Sequence, residues 1–277
     1  MAVKKTKTAI ALSKPSIESR IKPIEELPTI LAVLVYGRSG TGKTHFASTF
    51  PKPMLLIDVR EAGTDTIAQV SGVDVLSVDK ASDIEDLYWY LSKNPNKYKT
   101  VVIDQVTQMQ DLAMAMVRTQ ENKEDDDLLT RREWGLISGW MKTWLFNFRD
   151  LIRLGMHVVF IAHDRSNNSD DWVEGQIDPS IGPSLMPSLA AAINGAVSVI
   201  GNTFIREKYI GQEKTRVVEY GLRIGPHAYF ITKVRHPVEV ETPEVIVNPN
   251  FDKLVSIVKG QPMTAKRVLK PNKGVSK

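Results

Sequence analysis

Cysteine is missing from all 277 residues, which excludes disulfide staples and thiolate metal sites. Long apolar runs are missing as well. The longest, LAVLV at 31–35 and HVVFIA at 157–162, fall far short of the roughly 20 residues that a membrane helix requires, and the N-terminus has no apolar stretch of the kind a secretory leader carries. A soluble, cytoplasmic protein with no membrane partner is expected. Histidine is scarce: His45, His157, His163, His227 and His236 are the whole set, and none has a partner at metal-ligand spacing. A structural zinc is therefore not expected. Acid is absent from residues 260–277, which carry Lys266, Arg267, Lys270, Lys273 and Lys277, a net charge of +5.

The N-terminal 22 residues mirror that tail, with six cations against Glu18, again +5. Since the whole chain carries +4, residues 23–259 carry −6. The basicity lies in the ends, and the expected organisation is a basic flexible tail over 1–23, one domain over 24–259 and a second basic flexible tail over 260–277. Tails of this kind are solvated ends or phosphate-backbone contacts. With 42% hydrophobic and 25% charged residues the remainder is ordinary for a globular fold.

Short, continuously apolar runs recur at 31–36, 53–59, 73–78, 100–104 and 157–163, and each has the character of a buried parallel strand. The stretches between them have helical spacing. GKTHFASTF stops at Pro51, SDIEDLYWYL has Ser82 as its cap with Glu85 three residues on, and DQVTQMQDLAMAMVR precedes an acidic turn. The longest helix is expected over 131–154, with Leu136, Trp140, Trp144, Phe148 and Leu151 on its apolar stripe. Alternating strands and helices predict an α/β fold, a mostly parallel sheet flanked by helices. After about residue 196 three segments, AVSVIGNTFIREKYI, KTRVVEYGLRIG and HAYFITKVR, are joined by short turns at 211–213 and 225–226 and predict an antiparallel hairpin extension. A last helix is expected over 251–259.

One segment carries specific chemistry. VYGRSGTGKTHF follows the first apolar run, and Gly37, Gly42, Lys43 and Thr44 fit G-x-x-x-x-G-K-[ST] between a strand and a helix, where that motif belongs. Its glycines let backbone N–H groups turn inward around phosphate oxygens, and the helix directs its positive end at the same anion. The expected nucleotide-binding cradle comprises Gly37, Arg38, Ser39, Gly40, Thr41, Gly42, Lys43, Thr44 and His45. Lys43 is assigned to the β and γ phosphates and Thr44 to Mg²⁺, which also needs a strand-end carboxylate. The run VVID at 101–104 provides Asp104.

At this point the chain resembles the RecA-like P-loop ATPases, and more closely a phage-encoded group of compact RecA-core proteins that includes AAA-type nucleotide-binding proteins and annealing-type recombinases. The resemblance covers roughly residues 30–238. It implies ATP and Mg²⁺ as cofactors, ATP hydrolysis, a homo-oligomeric ring or filament, single-stranded DNA as partner and the cytoplasm of an infected bacterium as location. In that superfamily the glutamate that positions water follows the second strand as I-D-x-E. Here Ile57, Asp58 and Val59 are followed by Arg60, and the glutamate comes one residue later, so Glu61 is nominated and Asp58 held in reserve. Many ring-forming AAA+ motors carry the base directly after the strand-end aspartate, where this chain has Gln105. His163, ending the strand after the long helix, stands where the superfamily senses the γ-phosphate. Lys233 and Arg235 resemble the Lys-x-Arg element that RecA-like subunits insert into a neighbour's site.

Support for DNA in the core is thinner. The loop DRSNNSDDWVEGQIDPSIGP opposes Arg165 with Asp164, Asp170, Asp171, Glu174 and Asp178, although Trp172 has a face on which a base can stack. The loop ENKEDDDLLTRRE mixes an acidic run with Arg131 and Arg132, and Trp134, Trp140 and Trp144 are assigned to the core. Two other functions share the cradle: a remodelling or switch ATPase acting on proteins, which suits the acidic core, and a small-molecule kinase, which would need an Arg-rich lid that the sequence lacks.

Overall fold

The computed structural model describes residues 18, 21–61, 63–166, 181–211 and 215–261. The turn expected at 211–213 lies mostly outside these residues, as do nearly all of both basic tails and the acidic loop with Trp172.

Six strands carry the parallel part of the sheet: β1 (Ala32–Tyr36), β2 (Met54–Asp58), β3 (Val73–Ser77), β4 (Thr100–Asp104), β5 (His157–Ala162) and β8 (Val199–Ile210). They run in the order β8-β1-β5-β4-β2-β3. Every residue of β1, β2, β4 and β5 is buried, as continuous apolar runs require when both faces are covered. Successive side chains divide between two cores. Leu34, Tyr36, Ile57, Ile103 and Phe160 pack under α2 (Ala81–Lys93), α3 (Val106–Gln120), α4 (Arg131–Asp150) and α5 (Pro187–Ala196). Val33, Val35, Leu56, Val102 and Ile161 pack under α1 (Lys43–Ser48) and α6 (Phe251–Val258).

The predicted α/β architecture is therefore what is found, with corrections in detail. β3 is not buried: as the outer strand it leaves Val75 48% exposed, and its β-branched residues gave no sign of an edge. α2 begins before Ser82, at Ala81, because the Asp83 carboxylate accepts from the Lys80 N–H while the Ser82 hydroxyl turns to Asp83. α4 ends at Asp150 and continues as a 3₁₀ turn over Leu151–Leu154. Its buried stripe is Ile137, Met141, Trp144, Leu145 and Phe148, so Leu136 and Trp140 sit at its flank and Trp134 is 40% exposed.

The antiparallel extension is also present, differently composed. β8 runs past β1 and pairs over Asn202–Ile210 with β9 (Thr215–Arg223). The third expected strand shrinks to β10 (Lys233–Val234), paired with the start of β8. The free edge of β9 is taken instead by β11 (Val245–Val247). Before β8, β6 (Asp164–Ser166) and β7 (Ile181–Pro183) form a two-stranded ribbon at the base of the acidic loop.

Candidate functional site

β1 ends at Tyr36 and the chain turns through Gly37–Gly42 into α1. Gly37 has no room for a side chain: a Cβ there would meet the Thr203 hydroxyl at 2.5 Å and its carbonyl oxygen at 2.6 Å. Thr203 braces the turn from β8, its hydroxyl 2.7 Å from the Thr41 hydroxyl and donating to the Tyr36 carbonyl at 3.3 Å. Gly42 precedes α1 at φ +85° with the Tyr220 ring of β9 beside it, 3.1 Å from where a Cβ would lie. Glycine alone meets both the handedness and the crowding there. Arg38 and Ser39 are exposed at the rim, and the Arg38 carbonyl accepts from Thr41 at 2.8 Å.

Lys43 is 9% exposed and folds back over the loop, donating to the Gly37 carbonyl at 2.9 Å and the Arg38 carbonyl at 2.8 Å. Burial holds its pKa below the usual lysine value, and the carboxylates of Asp104, Glu61 and Asp164 act in the opposite sense. The Thr44 hydroxyl donates to Asp104 Oδ2 at 2.7 Å. Burial raises the Asp104 carboxyl above the ordinary range, with Glu61 and Asp58 adding to the rise and Thr44 and Lys43 opposing it. A hydroxyl and a carboxylate in contact beneath the cradle are suited to a small hard cation that takes its other oxygens from phosphate and water. Among the described residues no cluster of three or more acidic or imidazole groups forms an all-protein metal cage.

Glu61 reaches this site although one residue separates it from the expected spacing. Arg60 takes a left-handed conformation, φ 57°, with its guanidinium on the Asp79 carbonyl at 3.0 Å, and the Asp58 carboxylate accepts from the Glu61 N–H at 2.9 Å. This turn absorbs the extra residue. It also places Glu61 on the cavity wall while Asp58 shapes the turn behind it. Gln105 donates to Glu61 Oε2, and its amide nitrogen is 2.7 Å from His163 Nε2. His163 thus joins the site through Gln105, beyond the lining of the cavity itself.

The cavity holds about 630 Å³. Its lining joins the cradle, with Thr44, His45, Glu61 and Asp104, to Tyr220 and to Asn248, Pro249 and Asn250 ahead of α6. Tyr220 is 44% exposed with its ring beside Gly42 of the cradle, and it offers a surface on which a nucleobase can stack. Sequence reading missed Thr203, Tyr220 and the 248–250 turn, because they come from the antiparallel extension and have no motif of their own.

Lys233 and Arg235 are not brought to this cavity. They stand at the far end of the sheet, where β10 pairs with Val199 and Ile200, and cap the C-terminus of α5. Lys233 donates to the Asn194 carbonyl at 2.6 Å and Arg235 to the Gly195 carbonyl at 2.7 Å. Within the 121–133 segment two of the bases are engaged by its own acids: Lys123 pairs with Glu133 at 3.0 Å and Arg132 with Glu121 at 3.1 Å.

A glycine-rich cradle between a central parallel strand and a helix, with a hydroxyl–carboxylate pair beneath it, defines a nucleotide-binding P-loop domain. The family model of the AAA domain matches residues 30–236, and the chain belongs to that family. No curated protein matches it. Among the described residues no helix is long and apolar enough to cross a membrane.

Proposed function

We propose that the chain binds Mg·ATP in this cavity and hydrolyses it, and that it does so as an oligomer acting on single-stranded DNA. The contact of Thr44 with Asp104 at 2.7 Å below the cradle carries the reading, since it joins two residues 60 positions apart that have one chemistry in common, a divalent cation beside phosphate. In this reading Lys43 leaves the Gly37 and Arg38 carbonyls for the β and γ phosphates, the inward N–H groups of Gly37–Thr44 hold their oxygens, and the bound cation offsets their negative charge. Glu61 takes a proton from the attacking water. His163 stands behind it, joined through Gln105, and Tyr220 carries the base.

The DNA part is supported by the two terminal segments of +5 each, which suit a phosphate backbone better than the core of −6 does. The acidic core favours the second reading, an ATPase that remodels proteins. Lys233 and Arg235 serve a neighbour's site only if they leave the α5 carbonyls, so their role in trans is tested by turnover at high protein concentration in Arg235→Ala.

Phosphate release with Mg·ATP, measured with and without single-stranded oligonucleotide, decides among these. Stimulation by DNA whose salt dependence flattens when 1–22 and 260–277 are removed supports the DNA reading; stimulation by protein alone replaces it. A Lys43→Ala variant with unchanged turnover, or a wild-type chain with no affinity for Mg·ATP, ends the ATPase reading.

A further inference from the structure

The ends of β2, β4 and β5 are neighbours in the sheet, with Asp58, Asp104 and Ile161 in register. A polar side chain just beyond the end of each strand reaches the same point. Glu61 comes from β2 and His163 from β5, and between them Gln105, from β4, is 1% exposed. Its amide touches both neighbours. The orientation of that amide follows from chemistry: a carboxylate only accepts, so the atom facing Glu61 must be the nitrogen. The same nitrogen faces His163 Nε2 at 2.7 Å, and since an amide nitrogen only donates, Nε2 must accept. The imidazole proton is thereby confined to Nδ1. Glu61 Oε1, 3.8 Å from His163 Nε2, takes no bond from the amide.

His163 is anchored on its other side. Its backbone N–H donates to the Thr107 hydroxyl at 3.3 Å, and its backbone carbonyl accepts from the Ser184 N–H at 2.8 Å, where the β6–β7 ribbon is rooted. Tyr36 at the end of β1 ties the same ribbon down, its hydroxyl donating to the Ile181 carbonyl at 3.1 Å and the Ile231 carbonyl at 2.9 Å. Gln105 Oε1 is buried with no partner among the described residues, which is unfavourable for a side chain kept only to fill space.

We propose that Gln105 is a positioning residue: it holds Glu61 by one oxygen so that the other is left for the attacking water, fixes His163 as its Nδ1–H tautomer, and so links the hydrolytic site to the root of the β6–β7 ribbon. The proposal rests on the hydrolytic reading above for its first part alone. An alteration at Glu61 during turnover, loss of its charge on taking a proton, weakens one arm of the bridge and is felt at His163 through the shared amide.

The test compares wild type with Gln105→Met, which keeps the length and loses both hydrogen bonds. Long-range ¹H–¹⁵N spectra of the histidines at pH 8, with His163 assigned through His163→Asn, are expected to show Nδ1–H in the wild type and a shift toward Nε2–H in Gln105→Met. Turnover of Mg·ATP is expected to fall at least tenfold with KM changed less than threefold, because the amide acts on the base and not on the nucleotide. A wild-type His163 in the Nε2–H form overturns the bridge without any appeal to activity. Wild-type turnover in a folded Gln105→Met overturns the positioning of Glu61. If the wild type shows no turnover the hydrolytic reading falls instead, and the tautomer alone then decides whether the bridge exists.

Discussion

Asp104→Asn separates what the site needs for folding from what it needs for its ligand. In the ligand-free chain the Asp104 carboxyl sits above its ordinary range because burial, with Glu61 and Asp58 near, outweighs Thr44 and Lys43. Its folded form therefore holds a proton more tightly than the unfolded chain does. The stability that this contributes is complete below the ordinary value of 3.8 and is lost as pH rises through the raised folded value. At neutral pH the charge is thus a net burden. Asparagine removes it while keeping a carbonyl oxygen for the Thr44 hydroxyl; exchanging a charged acceptor for a neutral one costs about 1 kcal/mol. The variant without ligand is expected to melt no lower than wild type at pH 7.5, and any gain should vanish at low pH. With nucleotide the order reverses. At 100 times Kd, Mg·ATP stabilises the folded wild type by about 2.7 kcal/mol, or about 5–11 °C in a domain of this size. Asp104→Asn should show no more shift with Mg·ATP than wild type shows with ATP and EDTA, and its turnover should fall at least about a hundredfold, since in the proposed site this carboxylate is the charged ligand of the cation. The assay is differential scanning fluorimetry in the four combinations of chain and metal, with phosphate release alongside. A full magnesium-dependent shift in the variant would refute the assignment of Asp104, and a large loss of stability without ligand would refute the account of its burial.

Three further outcomes are expected. Gly37→Ala forces a methyl to within 2.6 Å of both the Thr203 hydroxyl and its carbonyl; it should cost about 1–3 kcal/mol in urea denaturation, and Thr203→Ala should not rescue it because the carbonyl remains. Tyr220→Ala should weaken ATP about five- to hundredfold in titration calorimetry, at about 1–3 kcal/mol per stacked base, and leave inorganic triphosphate unaffected. Equal losses for both ligands would remove Tyr220 from the base end. His157 accepts the Leu31 N–H on Nδ1 at 3.1 Å, and burial lowers its pKa from 6.5 to about 4. The stability that it contributes is present above pH 6.5 and lost as pH falls toward 4, because the unfolded chain takes up a proton that the folded chain refuses. His157→Asn should flatten that limb of the urea midpoint against pH.

The parts of the site that were legible in the sequence are those that local chemistry dictates. Gly37–Thr44 could be found because a phosphate-binding turn constrains four positions at fixed spacing within eight, and Asp104 because a buried apolar strand that ends on an acid is conspicuous once a cation needs one. Thr203 and Tyr220 obey a different logic. Each lies more than 160 residues from the glycine it abuts, and only the pairing of β8 with β1 and of β9 with β8 brings it there. Nothing in VIGNTFIREKYI or TRVVEYGLR marks one residue as a wall of the cradle. β3 shows the same limit in reverse, since a strand of ordinary β-forming residues is buried or exposed according to whether a neighbour joins it, which its own sequence does not encode.

Gln105 is the sharpest case, because sequence logic met it as an absence, a glutamine where another lineage of motors has its base. The fold gives that position a use of its own. With the glutamate supplied by β2 through a left-handed turn at Arg60, a second carboxylate after Asp104 would add a third charge beside Asp104 and Glu61 in a buried site whose carboxyl pKa is already raised. An amide is neutral, and it donates to the carboxylate it would otherwise repel. In the proposed reading, with Glu61 as the base, the departure at Arg60 and the departure at Gln105 form one arrangement: a carboxylate supplied from the neighbouring strand makes a donor, and not an acid, the side chain suited to the end of β4. Exchanging the two, Glu61→Gln with Gln105→Glu, tests whether position or mere presence of the carboxylate matters. Turnover should stay at the level of Glu61→Gln alone, because the transplanted carboxylate is buried behind the cavity wall; recovery to near wild type would show that either strand end can hold the base.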